Sequence, residues 1–193
     1  MYTEYARDIR DSGHHLLTVI NDILDFSKIQ SGKLKIEKVD FNLPSLVNDL
    51  INLFKHKANE KDIDLRYSID PGISSVLKGD PVRLNQVLVN IISNAIKFTS
   101  EGFVELHVRL REDFENKVKI SFEVTDTGIG IAKNKLDSIF ESFTQASSDT
   151  TRKFGGTGLG LTIVKKIVEL QNGEAFVESE LGKGSKFTIE LTF

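Results

Sequence analysis

Hydrophobic residues recur along the first thirty residues with the spacing of a helix that packs in a bundle. Between residues 3 and 31, Ile9, Leu16 and Ile23 lie seven apart, and a second seven-residue series falls between them. This is an a/d pattern, and such a face is buried only against another helix. Since no second long heptad follows, we expect this helix, which Gly32 ends, to pair with a second copy of the chain as a homodimer.

Beyond residue 32 the pattern changes to short strands and amphipathic helices. We expect strands, from their two-residue periodicity, at 33–41, 63–69, 103–110, 118–124, 174–180 and 185–193. We expect helices from Pro44, at 83–98, near 136–143 and from about Leu159 to Gln171. The order, a long helix and then β-α-β-α-β-β-α-β-β, predicts a mixed, mainly antiparallel sheet with its helices on one face. We therefore expect an α/β fold, a two-layer α+β sandwich, with parts at residues 1–32 and 33–193.

The helix predicted from Arg83 to Phe98 has a polar stripe rich in amides, where an ordinary solvated face would carry Glu and Lys. Asn90, Asn94 and Lys97 are spaced i, i+4 and i+7, so two amide oxygens and one ammonium group line up over two turns. Oxygen ligands beside a cation suit a magnesium-bound polyphosphate. This stretch alone leaves open a buried helix with a small polar strip.

A glycine cluster suggests a phosphate-binding loop. Gly155, Gly156, Gly158 and Gly160 precede a predicted helix, where glycine lets backbone amides approach a phosphate and the helix N-terminus favours negative charge. The segment lacks the Lys-Ser/Thr of a P-loop and the directly preceding strand of a dinucleotide fingerprint. A structural turn remains the alternative.

An acidic residue and two glycines follow the strand predicted at 118–124. Asp126, beside a backbone turned close by Gly128 and Gly130, can accept a hydrogen bond from an exocyclic amine. A plain Asp-Gly turn is the alternative, but it would not explain the glycine cluster that follows about thirty residues later.

Composition and charge mainly exclude other classes of protein. A chain of 193 residues that is 39% hydrophobic and 27% charged is typical of one globular domain with a small appendage. The net charge of −3 gives no electrostatic reason to expect a nucleic-acid partner. The absence of cysteine excludes a disulfide framework and a thiolate zinc site. No apolar run reaches the ~18 residues of a spanning helix, so we expect no membrane contact by this chain and a cytoplasmic location. Membrane anchoring of a longer parent protein is left open.

Several segments together resemble the sequence boxes of the histidine kinase ATP-binding domain, from the gyrase, histidine kinase and MutL superfamily. They are an N box at Asn90–Thr99, a first G box at Asp126–Ile131, an F box at Phe140 and Phe143, a second G box at Gly156–Leu161 and a closing glycine turn at Gly182–Phe187. The boxes occur in the family's order and spacing, and the resemblance covers nearly the whole chain.

The resemblance implies a Bergerat-type α/β sandwich that holds Mg²⁺ and ATP between the N-box helix and a lid before the second G box. Asn94 would be the principal magnesium ligand, and Asn90 would support the metal and the phosphates. Lys97 would neutralise phosphate charge, which makes Asn90 and Lys97 the expected catalytic residues. Asp126 would read the adenine 6-amino group.

The resemblance also implies nucleotide contacts from the glycine boxes and from the lid at 144–153. The second G box would give backbone amides to the phosphates, and the aromatic pair of the F box would anchor the base of the lid. These implied nucleotide-binding residues are Gly128, Gly130, Ile131, Arg152, Lys153, Gly156, Thr157, Gly158, Leu159, Gly160 and Leu161.

The first helix resembles the second helix of the dimerisation and histidine-phosphotransfer hairpin. The other helix of that hairpin carries the phosphoacceptor as His-Glu/Asp followed by Pro, and no such segment occurs in this sequence. His14 and His15 are followed by Leu-Leu-Thr and fall at outer and flanking heptad positions. The resemblance therefore implies a phosphoacceptor outside this chain, which would be unable to autophosphorylate alone, and a response regulator receiver domain as partner.

Two other functions remain as alternatives to the kinase: an ATP-hydrolysing switch of the same superfamily, and a nucleotide-binding or dimerisation module without autokinase activity. The hydrolytic branch places a Glu one turn before the metal-binding Asn, as general base on water. Here that position is Asn90, whose amide has no basic lone pair. Phosphoryl transfer to an external imidazole needs mainly positioning and charge neutralisation, so the kinase is favoured.

Overall fold

The computed structural model describes residues 2–136, 138–141 and 158–193; within the long first helix, side chains are described at 13, 16, 17 and from 19 onward. The elements in chain order are α1 Tyr2–Gln30, β1 Val39–Asn42, α2 Leu43–Asn59, β2 Ile63–Ile69, β3 Val76–Gly79, α3 Pro81–Phe98, β4 Gly102–Phe114, β5 Lys117–Asp126, a 3-10 turn Lys133–Lys135, α4 Gly160–Leu170, β6 Glu174–Glu180 and β7 Gly184–Thr192.

The main sheet has five strands in the order β2-β4-β5-β7-β6. β2 pairs with β4 in parallel, and the other neighbouring strands are antiparallel. The helices α2, α3 and α4 cover one face, where Leu106, Phe122 and Ile189 of the sheet join Ile92 of α3 in the core. This arrangement confirms the mixed, mainly antiparallel two-layer sandwich expected from the element order.

The structure also has a two-stranded sheet, which the sequence did not predict. The strand expected at 33–41 is confined to β1, which pairs antiparallel with β3. The preceding segment is held by a side chain instead, because the Glu37 N–H donates to Asp80 Oδ2 at 2.9 Å. β3 has four residues, too few for two-residue periodicity to stand out, and its partner lies more than thirty residues away in the sequence.

Two other elements differ in extent from the expectation. β4 and β5 continue past a register shift between Leu110 and Glu112, so they are longer than the strands expected at 103–110 and 118–124, and only Glu115 and Asn116 separate them. The helix expected near 136–143 is replaced, as far as residue 141, by the 3-10 turn and further turns. Backbone bonds such as that from the Ser138 N–H to the Lys135 carbonyl span three residues, so the apolar spacing there serves tight turns.

Both ends of α3 are fixed by charged side chains. At the start, Asp80 accepts a hydrogen bond from the Arg83 N–H at 3.0 Å, and Pro81 occupies the first turn. At the end, Lys61 Nζ donates to carbonyl oxygens of the last turn. The acceptors are those of Ile96 (2.7 Å), Lys97 (3.1 Å) and Thr99 (3.2 Å). These contacts hold in place the helix that carries the amide stripe.

The long helix α1 lies against the beginning of α3. Gln86 Nε2 donates to Asp25 Oδ2 at 2.7 Å, and Arg83 Nη1 lies 3.6 Å from the same oxygen. Arg83 and Gln86, the first two residues of the polar stripe of α3, therefore contact α1. Among the described residues, no helix has both the length and the hydropathy needed to cross a membrane.

Candidate functional site

A cavity of about 1110 Å³ lies between α3, the carboxyl end of β5 and the start of α4. It brings together residues from four of the sequence boxes: the N box, both G boxes and the closing glycine turn. The lining includes Asn90, Asn94, Lys97, Asp126, Ile131 and Gly160. The cavity is large enough for a nucleotide, since ligand pockets are commonly about 300–1,000 Å³.

The two amides of α3 are adjacent within this cavity. Asn94 Nδ2 donates to Asn90 Oδ1 at 3.4 Å. The first residue of α4, Gly160, lies against the same group, since a Cβ there would fall 2.5 Å from Asn90 Oδ1. Glycine at this position therefore lets the N-terminus of α4 approach the amide pair, which joins the N box to the second G box.

Lys97, from the same helix, brings a cation to the lining of the cavity. Its Nζ lies 5.1 Å from the ring centroid of Phe98. Burial, and secondarily the nearby charge of Lys57, lower the pKa of Lys97. Because the ammonium form is partly desolvated and repelled by a like charge, an anion bound beside it would be stabilised.

Asp126 ends β5 at the other side of the cavity, and it is 6% exposed. Its Oδ1 accepts a hydrogen bond from the Gly128 N–H at 2.8 Å, and the Ser185 N–H also donates to the carboxylate. Burial raises the pKa of Asp126 despite these two backbone donors, which act in the opposite direction. A buried carboxylate with a fixed orientation is suited to accept from an amine of a ligand.

The loop after Asp126 requires glycine for close approach. A Cβ on Gly128 would lie 2.5 Å from the Phe98 carbonyl oxygen, at the end of α3. Gly130 has a φ of 66°, and a Cβ there would lie 2.0 Å from the Glu180 carbonyl oxygen on β6. The two glycines thus let the loop lie between α3 and the β6–β7 hairpin, with Ile131 facing the cavity.

The second G box is described from Gly158 onward. Gly158, with a φ of 70°, lines the cavity together with Gly160 and Leu161. The side chain of Leu159 instead packs in the hydrophobic core at 2% exposure. Phe140, from the F box, packs edge-on against Phe187 with ring centroids 6.4 Å apart.

Part of the expected site lies outside the described residues. This part comprises Phe143, the lid at 144–153 with Arg152 and Lys153, and Gly156 and Thr157. Conversely, the sequence-based set lacks Ser185, which lines the cavity and whose N–H donates to Asp126. Its position directly after Gly184 in the closing glycine turn was the signal that could have identified it.

Comparison with known proteins gives the same assignment. The family model for histidine kinase-, DNA gyrase B-, and HSP90-like ATPases matches residues 79–193. The chain is 48% identical over 182 residues to the autoinducer 2 sensor kinase/phosphatase LuxQ of Vibrio vulnificus strain YJ016, which covers 94% of this chain and 21% of the relative. It is 40% identical over 188 residues to the sensor protein GacS of Pseudomonas syringae pv. syringae, which covers 97% and 21%. The chain thus spans about a fifth of the length of these relatives.

Two solved structures are similar over almost the whole chain. Full-length ShkA in complex with AMPPNP superposes with a TM-score of 0.81 and 31% identity, over 97% of this chain and 38% of that one. The histidine kinase ThkA, in complex with the response regulator protein TrrA, gives a TM-score of 0.68 and 26% identity, over 97% and 50%. The chain therefore belongs to the family of histidine kinase-, DNA gyrase B- and HSP90-like ATPases, and it contains the ATP-binding domain of a histidine kinase.

Proposed function

We propose that this chain binds ATP with magnesium in the cavity between α3 and α4 and transfers the γ-phosphoryl group to a histidine on a separate helical segment. A response regulator receiver domain would then accept the phosphoryl group. The observation that carries the proposal is the meeting of Asn90, Asn94 and Gly160 at one end of the cavity, with the buried Asp126 at the other. Similarity to ShkA, which was solved in complex with AMPPNP, supports the binding of a nucleotide.

Asp126 would accept a hydrogen bond from the 6-amino group of adenine, with Ile131 against the base. The phosphates would then lie toward Lys97 and the N-terminus of α4, where a cation, backbone amides and the helix dipole favour negative charge. Each end of the ligand thus meets groups of complementary chemistry.

The residues present fit a magnesium ion. The amide oxygens of Asn94 and Asn90, together with phosphate oxygens, make the oxygen-only ligand set that Mg²⁺ prefers. When bound, the ion would supply charge neutralisation on the phosphates. Asn90 would support Asn94 and the phosphates, and Lys97 would hold the γ-phosphate in line for attack.

Asn90 favours a kinase over a hydrolase. A carboxamide has no basic lone pair with which to take a proton from water. An imidazole nucleophile needs no such base, because its neutral nitrogen carries a lone pair. Because Asn90 cannot activate water, the phosphoryl group would pass to a protein acceptor instead of to water.

The proposed organisation has residues 1–32 as one hairpin helix and residues 33–193 as the catalytic domain. We expect the chain to dimerise through α1 and, by itself, to bind ATP or ADP without labelling His14 or His15. Parent proteins such as sensor kinases would bring the acceptor helix to this site. A cytoplasmic location of this domain is part of the proposal.

The decisive experiment combines binding with phosphoryl transfer. ATP affinity is measured by calorimetry with Mg²⁺ and with EDTA, and transfer of label from γ-³²P-ATP is followed to a helical hairpin polypeptide that carries a His-Glu motif. We expect acid-labile label on the hairpin, and Asn94→Ala to weaken Mg-dependent ATP binding by about 10–100-fold.

The control is Asn116→Ala, the same substitution in the exposed β4–β5 loop, which should leave both measurements unchanged. Acid-labile label on the chain itself would contradict the expected absence of a phosphoacceptor. Release of free phosphate without label on the hairpin would favour the hydrolysing switch. Hydrolysis that is unchanged in Asn90→Glu would show that the role assigned to Asn90 is wrong.

A further inference from the structure

Three hydrogen bonds meet at the hydroxyl group of Ser179, on β6. The Ile131 N–H donates to Ser179 Oγ at 2.7 Å, and Ser179 Oγ donates to the Gly184 carbonyl oxygen at 2.8 Å. The hydroxyl of Ser185 lies 2.9 Å from the same oxygen. A serine hydroxyl offers one proton and two lone pairs. With its proton on Gly184, it can accept from both Ile131 and Ser185, so its hydrogen-bonding capacity is fully used.

These bonds connect two walls of the cavity that are far apart in the sequence. Ile131 belongs to the loop after β5, whereas Ser185 lies at the start of β7, and the Ser185 N–H donates to Asp126. Ser179 itself lies behind both walls, paired with Ser185 in the antiparallel ladder. It is partly buried and does not belong to the cavity lining.

Backbone contacts join the same two segments. The Gly182 N–H donates to the Ile129 carbonyl oxygen at 2.8 Å, and Gly130 lies directly against the Glu180 carbonyl oxygen. The wall that carries Ile131 can therefore shift relative to Asp126 only if its contacts with the β6–β7 hairpin change. Ser179 adds a side-chain connection to these backbone contacts, because its hydroxyl group bonds to both Ile131 and Ser185.

We propose that Ser179 is a positioning residue that sets the base specificity of the nucleotide site. By holding Ile131 and Ser185 at fixed distances from Asp126, it keeps the base oriented so that an exocyclic amine faces the carboxylate. This inference rests on the proposed binding of ATP. A loosened wall would let a base without the amine shift away from Asp126, so the site would discriminate less.

The test compares ATP with inosine triphosphate, which has an oxygen in place of the 6-amino group. Affinities of both, with Mg²⁺, are measured by calorimetry for the wild-type chain, Ser179→Ala, Ser179→Thr and Ser68→Ala. We expect Ser179→Ala to raise the Kd for ATP about tenfold, because the Ile131 N–H loses its acceptor, and to raise the Kd for inosine triphosphate much less.

The other variants separate positioning from general stability. Ser179→Thr keeps a hydroxyl and should keep the wild-type ratio of the two Kd values. Ser68→Ala makes the same change at an exposed position of β2 and should leave both Kd values unchanged. If circular dichroism shows that Ser179→Ala does not fold, Ser179→Cys retains a side chain of similar size with a weak hydrogen-bonding group and carries the same expectation.

Two outcomes overturn the inference alone: a Ser179→Ala chain with wild-type affinities, or one that loses the same factor for both nucleotides. The second result would assign Ser179 a structural role without an effect on specificity. A wild-type chain that binds no ATP would instead overturn the proposed function and this inference with it. Two readouts distinguish these cases: whether the wild-type chain binds ATP, and how the ratio of the two Kd values in Ser179→Ala compares with that in the wild-type chain.

Discussion

At the scale of single residues, Asp126 shows how opposing influences set the chemistry of one carboxylate. Burial raises its pKa, while the N–H groups of Gly128 and Ser185 favour the ionised form. The folded chain therefore holds a proton on Asp126 to a higher pH than the unfolded chain does. Since the proposed contact with adenine needs the ionised carboxylate as acceptor, nucleotide binding is favoured at pH values above this raised pKa.

This gives a prediction for the pH dependence of binding. As the pH is lowered from neutral through the raised pKa of Asp126, we expect the affinity for ATP to fall, because a growing fraction of the sites is protonated. The measurement is the Kd for ATP at a series of pH values. Asp126→Asn removes the titrating group but keeps an amide oxygen, so its pH dependence should be flatter. Identical pH profiles for the two proteins would show that Asp126 does not contact the base.

The sequence predicted those residues of the candidate site whose chemistry is unusual for their element, and they line the cavity. Amides on a helix stripe at 90 and 94, and an acid followed by glycines at 126, depart from ordinary patterns and from the composition of a solvated surface. Ser179 and Ser185 escaped that reasoning because serine is common in strands and turns. Their importance depends on which backbone groups come within 3 Å, and that is decided by strand register between distant segments.

At the scale of elements, α3 depends on a lysine from another part of the chain. Lys61, in the loop between α2 and β2, donates to three carbonyl groups around the end of α3. The last carbonyls of a helix have no partner within the helix, and they form the negative end of its dipole. Lys61 thus donates hydrogen bonds to carbonyl groups that would otherwise need water. One of these carbonyl groups belongs to Lys97, whose side chain supplies the cation of the candidate site.

We expect Lys61→Met, which keeps the length of the side chain but removes the donors, to lower the free energy of unfolding by about 1–2 kcal/mol. The measurement is urea denaturation followed by circular dichroism. Lys38→Met, at an exposed position before β1, is the matched control and should change stability by less than about 0.5 kcal/mol. Equal effects of the two substitutions would mean that the cap contributes nothing beyond its surface charge.

Periodicity predicted the long elements well and the short ones poorly. The alternating strands and the amphipathic helices were identified because each repeats its pattern over at least two turns or several residue pairs. β3 and the turns after Lys133 have no such repeat. β1 and β3 are strands because they pair with each other, and a pairing between separated segments leaves no local signal in the sequence.

At the scale of the whole molecule, the two faces of the main sheet are covered differently. One face packs under the helices, while the other carries ion pairs around Glu123, whose side chain is 4% exposed. Burial alone would raise the pKa of Glu123, but a hydrogen bond from Lys186 and the charges of Arg109 and Arg111 outweigh it, so the pKa is lowered. Charged pairs thus shield this face, and the nucleotide cavity lies on the helix side of the sheet.

A row of apolar side chains along α1 is left uncovered in the single chain. Leu16, Leu17, Ile20, Ile23 and Leu24 are each between 43% and 60% exposed, whereas Phe26 and Ile29, nearer the end of the helix, pack against the core. α1 has 29 residues, so it is about 44 Å long at 1.5 Å per residue. A row of aliphatic side chains along such a helix is typical of a helix–helix interface.

We therefore expect the chain to be dimeric at about 50 µM by light scattering, because pairing of two α1 helices buries this face. Substitution of Leu16 and Ile23 by Glu, one heptad apart in the same row, should place charges in the interface and give a monomer. Leu53→Glu, at an α2 leucine that is 63% exposed, is the control and should remain dimeric. If α1 serves only for assembly, the monomeric variant keeps the wild-type Kd for ATP, since the proposed nucleotide contacts all come from residues beyond α1. A wild-type chain that is monomeric at this concentration, or a control that dissociates as readily as the double variant, would show that the exposed row of α1 is not a dimer interface.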